Sequence, residues 1–393
     1  MRGRQAEVAQ ISRRAALVSV VALGVAGCGP ARSALDPAPS PTTSAPTSAP
    51  TAEATPSATP SPTPTPPTDT RPRWPLTGVP VENASLTRHA AVAVKVPDNQ
   101  WEHPQRGIEA ADIVFVELEG YLDGAGYSST RLVPVFHSRL PGSVEPVRSI
   151  RPVDVALLSP MDAIIGNTGA ARWVVNYVKA NRAHLEGMLS YAATTGTGSY
   201  GTDPSRVYTQ NGQTYYDRAT ICHPSVLAKQ TRRFRSGPPQ PYLPFATGDQ
   251  TPSTAAGTAA RSLSIPYKGD DYRMGYAYDP KSKRYLRSMP WGPHVLADGT
   301  RVSVDNVLII KARQHFGKIF AGGGHDEPLQ DVIDADGAFS YAHGGHAVAG
   351  RWRKGKPAEP FTFTLADGTP LRVAPGRTFV ELPDTGAVVH ITG

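Results

Sequence analysis

The chain has 393 residues, 39% of them hydrophobic and 8% aromatic, which supplies apolar material for real cores and exceeds one average domain. Its net charge is +7, but Arg2, Arg4, Arg13 and Arg14 against Glu7 concentrate part of that excess in the first 28 residues. The small remainder, spread over so long a chain, argues against a nucleic-acid partner.

Residues 1–28 read as an export and anchoring signal. A basic start precedes an apolar segment from Ala15 to Ala26 that is too short to span a bilayer comfortably, as in a secretory signal peptide. Ser12-Arg13-Arg14-Ala-Ala-Leu17 has the form of a twin-arginine signal, although general export signals also begin with arginines. The region ends in Val25-Ala26-Gly27-Cys28, which resembles the lipobox of bacterial lipoproteins. In such signals the cysteine is diacylglyceryl-modified and becomes the mature N-terminus. The expected lipidation site is therefore Cys28, and the expected partner is membrane lipid. The expected location is the outer face of the bacterial cytoplasmic membrane, reached by the general or the twin-arginine route. The other cysteine, Cys222, then lacks a disulfide partner within the chain and reads as a buried small hydrophobe.

Residues 29–75 are Pro, Thr, Ser and Ala with almost no large apolar side chain. About 14 of the 39 prolines lie here, so the segment cannot bury enough surface to offset its ordering entropy. It is predicted to be a disordered stalk biased to polyproline II, reaching at most on the order of 140 Å when fully extended.

Residues 76–240 form the first predicted domain. His89 to Val96, Ile113 to Leu118 and Leu132 to Phe136 have the composition of strands, with Pro134 expected at an edge or a bulge. Ala170 to Leu189 carries Trp173, Val174, Tyr177, Val178, Leu185, Met188 and Leu189 at helical spacing, and a second helix is predicted over Ser225 to Phe234 behind Pro224. Strands alternating with helices predict an α/β or α+β domain. The Pro/Gly/Thr-rich stretch from Gly237 to Gly257 reads as a linker or long surface loop. Residues 241–393 are predicted to be a smaller, mostly antiparallel β domain. Strands are expected in Val302 to Ala312, Ala347 to Trp352, Phe379 to Leu382 and Val388 to Thr392, with a hairpin turn at Asp367-Gly368.

The chemistry concentrates between Ala111 and Pro152. A Gly-rich loop from Gly120 to Gly126 joins two predicted strands, and Pro146-Val-Arg-Ser-Ile-Arg151 follows them. Acidic and arginine side chains thus cluster at strand ends, where ligands of α/β proteins commonly bind. The candidate ligand-binding residues are Asp98, Asn99, Glu119, Arg131, Arg148, Ser149 and Arg151. Arginine offers paired donors to carboxylate or phosphate. No cofactor motif is present, and no metal site is expected. His325 and the His343-Gly-Gly-His346 run would need a helix to converge, which the glycines oppose.

Several elements resemble the YerB-like lipoproteins, a bacterial family with an N-terminal domain of unknown function and a C-terminal companion. They are Pro97-Asp98-Asn99, Pro104-Gln-Arg-Gly107, Ala111-Asp-Ile-Val114, Glu119-Gly120, Thr130-Arg131 and Pro146-Val-Arg-Ser-Ile-Arg151. Gly275-Tyr-Ala-Tyr-Asp279, Tyr285-Leu-Arg287 and Asp305-Asn-Val307 fit the companion domain. The family's Pro-His-Asn element stands here as Cys222-His223-Pro224, and the 120–126 loop is longer than its usual Gly-Gly turn. The resemblance implies export, anchoring and a two-part architecture. Two functions are compatible with these residues. One is a non-catalytic cell-envelope module binding an anionic or glycan ligand, with a cell-wall polymer or another envelope protein as partner. The other is a wall-acting hydrolase using two carboxylates from Asp98, Glu117, Glu119 and Asp123.

Overall fold

A computed structural model describes residues 69–122, 128–234, 237–268 and 272–393. The expected leader, Cys28 and most of the stalk lie outside these residues, as does Asp123 with the rest of the 120–126 loop tip. No helix among the described residues is long and apolar enough to cross a membrane.

The strand Ile113–Leu122 shows how the body is assembled. Successive side chains of a strand point to opposite faces, and this one is apolar on both. Ile113 and Phe115 join one apolar cluster, whereas Val114 and Val116 join another. Antiparallel to it runs Ser128–Phe136, with Phe115 opposite Val133 and Glu117 opposite Arg131. On its other side lies Thr378–Glu381, parallel, with Val380 opposite Phe115. That strand in turn pairs in parallel with Asn306–Ile310. Segments 76–240 and 241–393 therefore contribute strands to one mixed 12-stranded sheet.

The first cluster packs the helices Val153–Leu158 and Arg172–Ala180 against the sheet through Val155, Leu157, Trp173 and Val178. The second unites Val114 and Val116 with Leu263, Ile265, Met274 and Tyr276 of a six-stranded antiparallel sheet. The architecture is the expected one. A mixed sheet with few helices forms the N-terminal part, and mostly antiparallel strands follow.

Several local expectations change. The 170–189 periodicity yields helix only over Arg172–Ala180, because Leu185–Glu186 leaves it to pair in parallel with Ala163 and Ile164. Residues 225–234 form only a short helix, Pro224–Leu227, and a 3-10 turn, Ala228–Gln230. Val302 to Ala312 is split, with Ser303–Val304 in the smaller sheet and Asn306–Ile310 in the larger. The Asp367-Gly368 turn forms with Gly368 at φ 84, but its second arm makes only a bridge between Thr364 and Pro370. The 237–257 stretch is no open linker. Tyr242, Leu243 and Ala246 are buried, and the Tyr242 ring meets Phe115 edge-on at 5.5 Å.

Pro134 lies in a strand paired on both sides, not at an edge. On one side its neighbour is broken into Val92–Val94 and Val96–Pro97, which pair with Val135 and Leu132 respectively. Proline has no N–H for the ladder, and the break falls at Lys95. The Lys95 backbone bonds on the side away from Ser128–Phe136. Its N–H donates to Gly166 O, and its carbonyl accepts from Arg148 N–H, each at 2.9 Å.

Candidate ligand-binding cleft

That interruption helps place the site, because it fixes the backbone of Arg148 beside the strand pair. The start of the strand Ser128–Phe136 and the end of Ile113–Leu122 then bring Ser129, Arg131 and Glu119 to the same place. Glu119 Oε1 accepts from Arg131 Nε at 3.1 Å and Nη2 at 2.8 Å, and its other oxygen accepts from Ser129. Arg131 Nη1 donates to the Ser149 carbonyl at 2.8 Å. Burial alone would raise the Glu119 pKa, but Arg131 and Ser129 hold it below its ordinary value.

These groups line a cleft of about 620 Å³ with Asn99, Trp101, Glu102, Arg148, Asp217, Arg218, Tyr272 and Trp291. Arg148 Nη2 donates to Asp217 Oδ2 at 2.9 Å and also contacts Glu102. Asn99 donates to Glu102. The Arg218 guanidinium lies over the Tyr208 ring, 4.3 Å from its centroid. Both halves of the chain supply walls, since Tyr272 and Trp291 come from the smaller sheet and the turn after one of its strands.

Four of the seven sequence-predicted residues, Asn99, Glu119, Arg131 and Arg148, line this cleft. Three do not. Asp98 is fully buried and accepts from Arg287 Nη2 and Thr130 Oγ1, at 2.8 and 2.9 Å. Ser149 contributes its carbonyl to Arg131. Arg151 pairs with Glu327 at 3.2 Å. The arginines thus have separate carboxylate partners and do not make one free cationic patch. Sequence reading missed Trp101, Glu102, Asp217, Arg218, Tyr272 and Trp291. Trp101 alone carried a signal, as a large aromatic two residues after the Pro97-Asp98-Asn99 turn.

Of the carboxylates considered for hydrolysis, Asp123 lies outside the described residues, Asp98 is buried against Arg287 and Glu119 is held by Arg131. Glu117 is buried against Lys95, and burial, with the Asp154 charge adding, pushes its pKa up to about 7. His325, His343 and His346 are also apart in role. They meet Glu327, the Asp305 carbonyl and the Gly344 carbonyl respectively. A cluster absent from the sequence reading, Asp98, His103 and His294, brings three potential ligand atoms within 4.8 Å. Both His294 ring nitrogens are already engaged there, by Arg287 at 2.8 Å and Gln105 at 2.9 Å. The buried Arg287 cation fills the charge role that a metal would take, so the cluster is a hydrogen-bonded support for Asp98.

Comparison with known proteins gives concordant results. Residues 76–221 match the profile of the N-terminal domain of a protein of unknown function, DUF3048, and residues 263–380 match that of its C-terminal domain. A curated relative is "Putative lipoprotein YerB" of Bacillus subtilis (strain 168), 26% identical over 321 residues, which span 80% of this chain and 87% of that protein. The crystal structure of the YerB protein from Bacillus subtilis superposes with a TM-score of 0.64 at 21% identity, covering 81% of this chain and all of that one.

Proposed function

Because the chain belongs to the DUF3048 family, whose function is not assigned, we propose from its own chemistry that it is a membrane-anchored cell-envelope module whose cleft binds a wall glycan. The anchor in this reading is lipidated Cys28, supported by the lipobox and by the lipoprotein description of the Bacillus relative.

One observation carries the ligand class. Asp217 Oδ1 and Arg218 Nε, on consecutive cleft residues, are buried and hydrogen-bond to no protein atom. An unpaired buried polar atom costs about 1–3 kcal/mol, which a ligand recovers by supplying the partner. Among the described residues the site lacks an acceptor for Arg218 Nε and a donor for Asp217 Oδ1, and sugar hydroxyls provide both. Trp101, 71% exposed, and Trp291 offer flat apolar faces to the C–H side of a sugar ring. A polyanion is a poorer match, since Arg131 and Arg148 already face Glu119, Glu102 and Asp217.

The hydrolase reading is weaker on the same geometry. A general acid must hold a proton within reach of the substrate. Glu119 is the cleft carboxylate that the sequence nominated, and Arg131 keeps its proton affinity low, whereas proton-holding Glu117 is buried on Lys95.

Co-sedimentation with purified wall sacculi and tryptophan-fluorescence titration with soluble muropeptides test the proposal. Trp101→Ala and Arg218→Ala are expected to weaken retention at least about tenfold, a loss of about 1.4 kcal/mol, with an unchanged melting temperature. Wild-type protein that ignores both probes overturns the glycan reading, and release of new reducing ends would replace it with hydrolysis.

A further inference from the structure

Three ionisable side chains from separate segments of the chain meet in the interior. Lys95 sits between the strands Val92–Val94 and Val96–Pro97, Glu117 in Ile113–Leu122 and Asp154 in Val153–Leu158. Their side chains are 0%, 1% and 0% exposed. Lys95 Nζ hydrogen-bonds Glu117 Oε1 and lies 3.1 Å from Asp154 Oδ1. We propose that this triad is a modification site that crosslinks itself, with an amide bond formed between Lys95 Nζ and Asp154 Cγ and with Glu117 carrying the protons.

The two Asp154 oxygens have different roles, and each role suits this chemistry. Oδ2 accepts from the Arg151 N–H at 2.7 Å, while Oδ1 faces the amine. The amine is held in turn, because the Lys95 backbone is pinned on both sides by Gly166 and Arg148. Glu117 keeps Oε2 buried with no hydrogen-bond partner, so one of its oxygens is free to give or take a proton. Burial and the Asp154 charge favour the protonated Glu117 carboxyl, with Lys95 and Arg151 opposing.

The step balances within the triad. Proton transfer through Glu117 converts the ammonium–carboxylate pair into a neutral amine and a neutral acid. The amine lone pair attacks Asp154 Cγ and forms the C–N bond. The C–Oδ1 bond then breaks, and Oδ1 leaves as water, taking one proton from the nitrogen that Glu117 relays. Glu117 ends as it began. Oδ2 becomes the amide oxygen and keeps its bond from Arg151 N–H. No oxidant, cofactor or second substrate is needed. Reactants held in contact in well-oriented geometry react as if at effective concentrations of roughly 10⁵–10⁸ M. The product also removes two charges from a site where charge is costly. The inference does not depend on what the cleft binds.

The test is peptide mass spectrometry of the purified, folded full chain after denaturation and trypsin digestion. The expected product is a branched peptide joining residues 89–106 to 149–172, uncut after Lys95 and lighter than its two parts by one water molecule. Linear peptides ending at an unmodified Lys95, with no branched product, overturn the proposal. That measurement needs no variant, so a misfolded variant cannot obscure it. Glu117→Gln protein with a native near-ultraviolet circular dichroism spectrum is expected to lack the branched peptide. The same spectrum with a full yield of branched peptide refutes the role of Glu117.

Discussion

Asp98 and Arg287 stand 189 residues apart in the chain and form a fully buried ion pair, with Nη2 2.8 Å from Oδ2. Arg287 reaches Asp98 from the strand Arg284–Met289 of the smaller sheet, while Asp98 follows Val96–Pro97 of the larger one. Tyr272, a cleft residue, donates to the Asp98 carbonyl at 3.3 Å. The pair therefore joins the two sheets behind the cleft wall. Removing one partner should be far worse than never having had the pair. Arg287→Met would leave Asp98 and nearby Glu381 buried without their cation, at a cost of roughly 3–5 kcal/mol. Urea unfolding near neutral pH measures this. A loss under about 1 kcal/mol would show that water reaches the site.

Acid should destabilise the protein early, through buried histidines. Burial, then His89, lowers the His137 pKa to about 4, and burial, then Arg287, holds that of His294 well below its ordinary value. A base whose folded pKa lies below its unfolded value, near 6.5, stabilises fully above that value. This stability is lost as pH falls, here from about 6.5 towards 4. The structure gives the reason for His137. Its Nε2 faces the Thr87 carbonyl at 3.0 Å, while Nδ1 is buried with no acceptor for a second proton. His137→Gln should flatten the melting temperature between pH 6.5 and pH 4 relative to wild type. An unchanged profile would place the acid sensitivity elsewhere.

A protease should nick the chain near 247–251, where all five residues are exposed, without separating the fragments. Tyr242 and Leu243 are buried beside Phe115, and Thr378–Glu381 lies between strands from both halves. The two fragments are therefore expected to co-elute on gel filtration until denaturant is added. Independent elution of a folded 76–240 fragment would show that the halves are separable domains.

Cys28→Ala should move the protein from the membrane fraction to the soluble one, because the apolar segment from Ala15 to Ala26 is too short to hold it alone. Fractionation with a labelled full chain reads this directly. An uncleaved, membrane-bound variant would make that segment the anchor.

Local composition was sufficient for the proline-rich character of residues 29–75, the apolar strands about Ile113 and the mostly β character of the C-terminal part. Each of these depends on the period or chemistry of neighbouring residues, which the chain carries whether or not it is folded. The Thr130-Arg131 and Pro146-Val-Arg-Ser-Ile-Arg151 elements also point to Arg131 and Arg148. Only the tertiary structure decided what those arginines face. It buried Asp98 against Arg287, paired Arg151 with Glu327, set Trp101, Asp217 and Trp291 around one cleft, and closed Lys95, Glu117 and Asp154 into a buried triad. The physical reason is range. A carboxylate's proton affinity and an arginine's freedom depend on charges within about 4–6 Å, and those come from strands brought together by sheet pairing across most of the chain. The alternation of a strand shows which residues share a face, but the partner opposite is chosen by the fold.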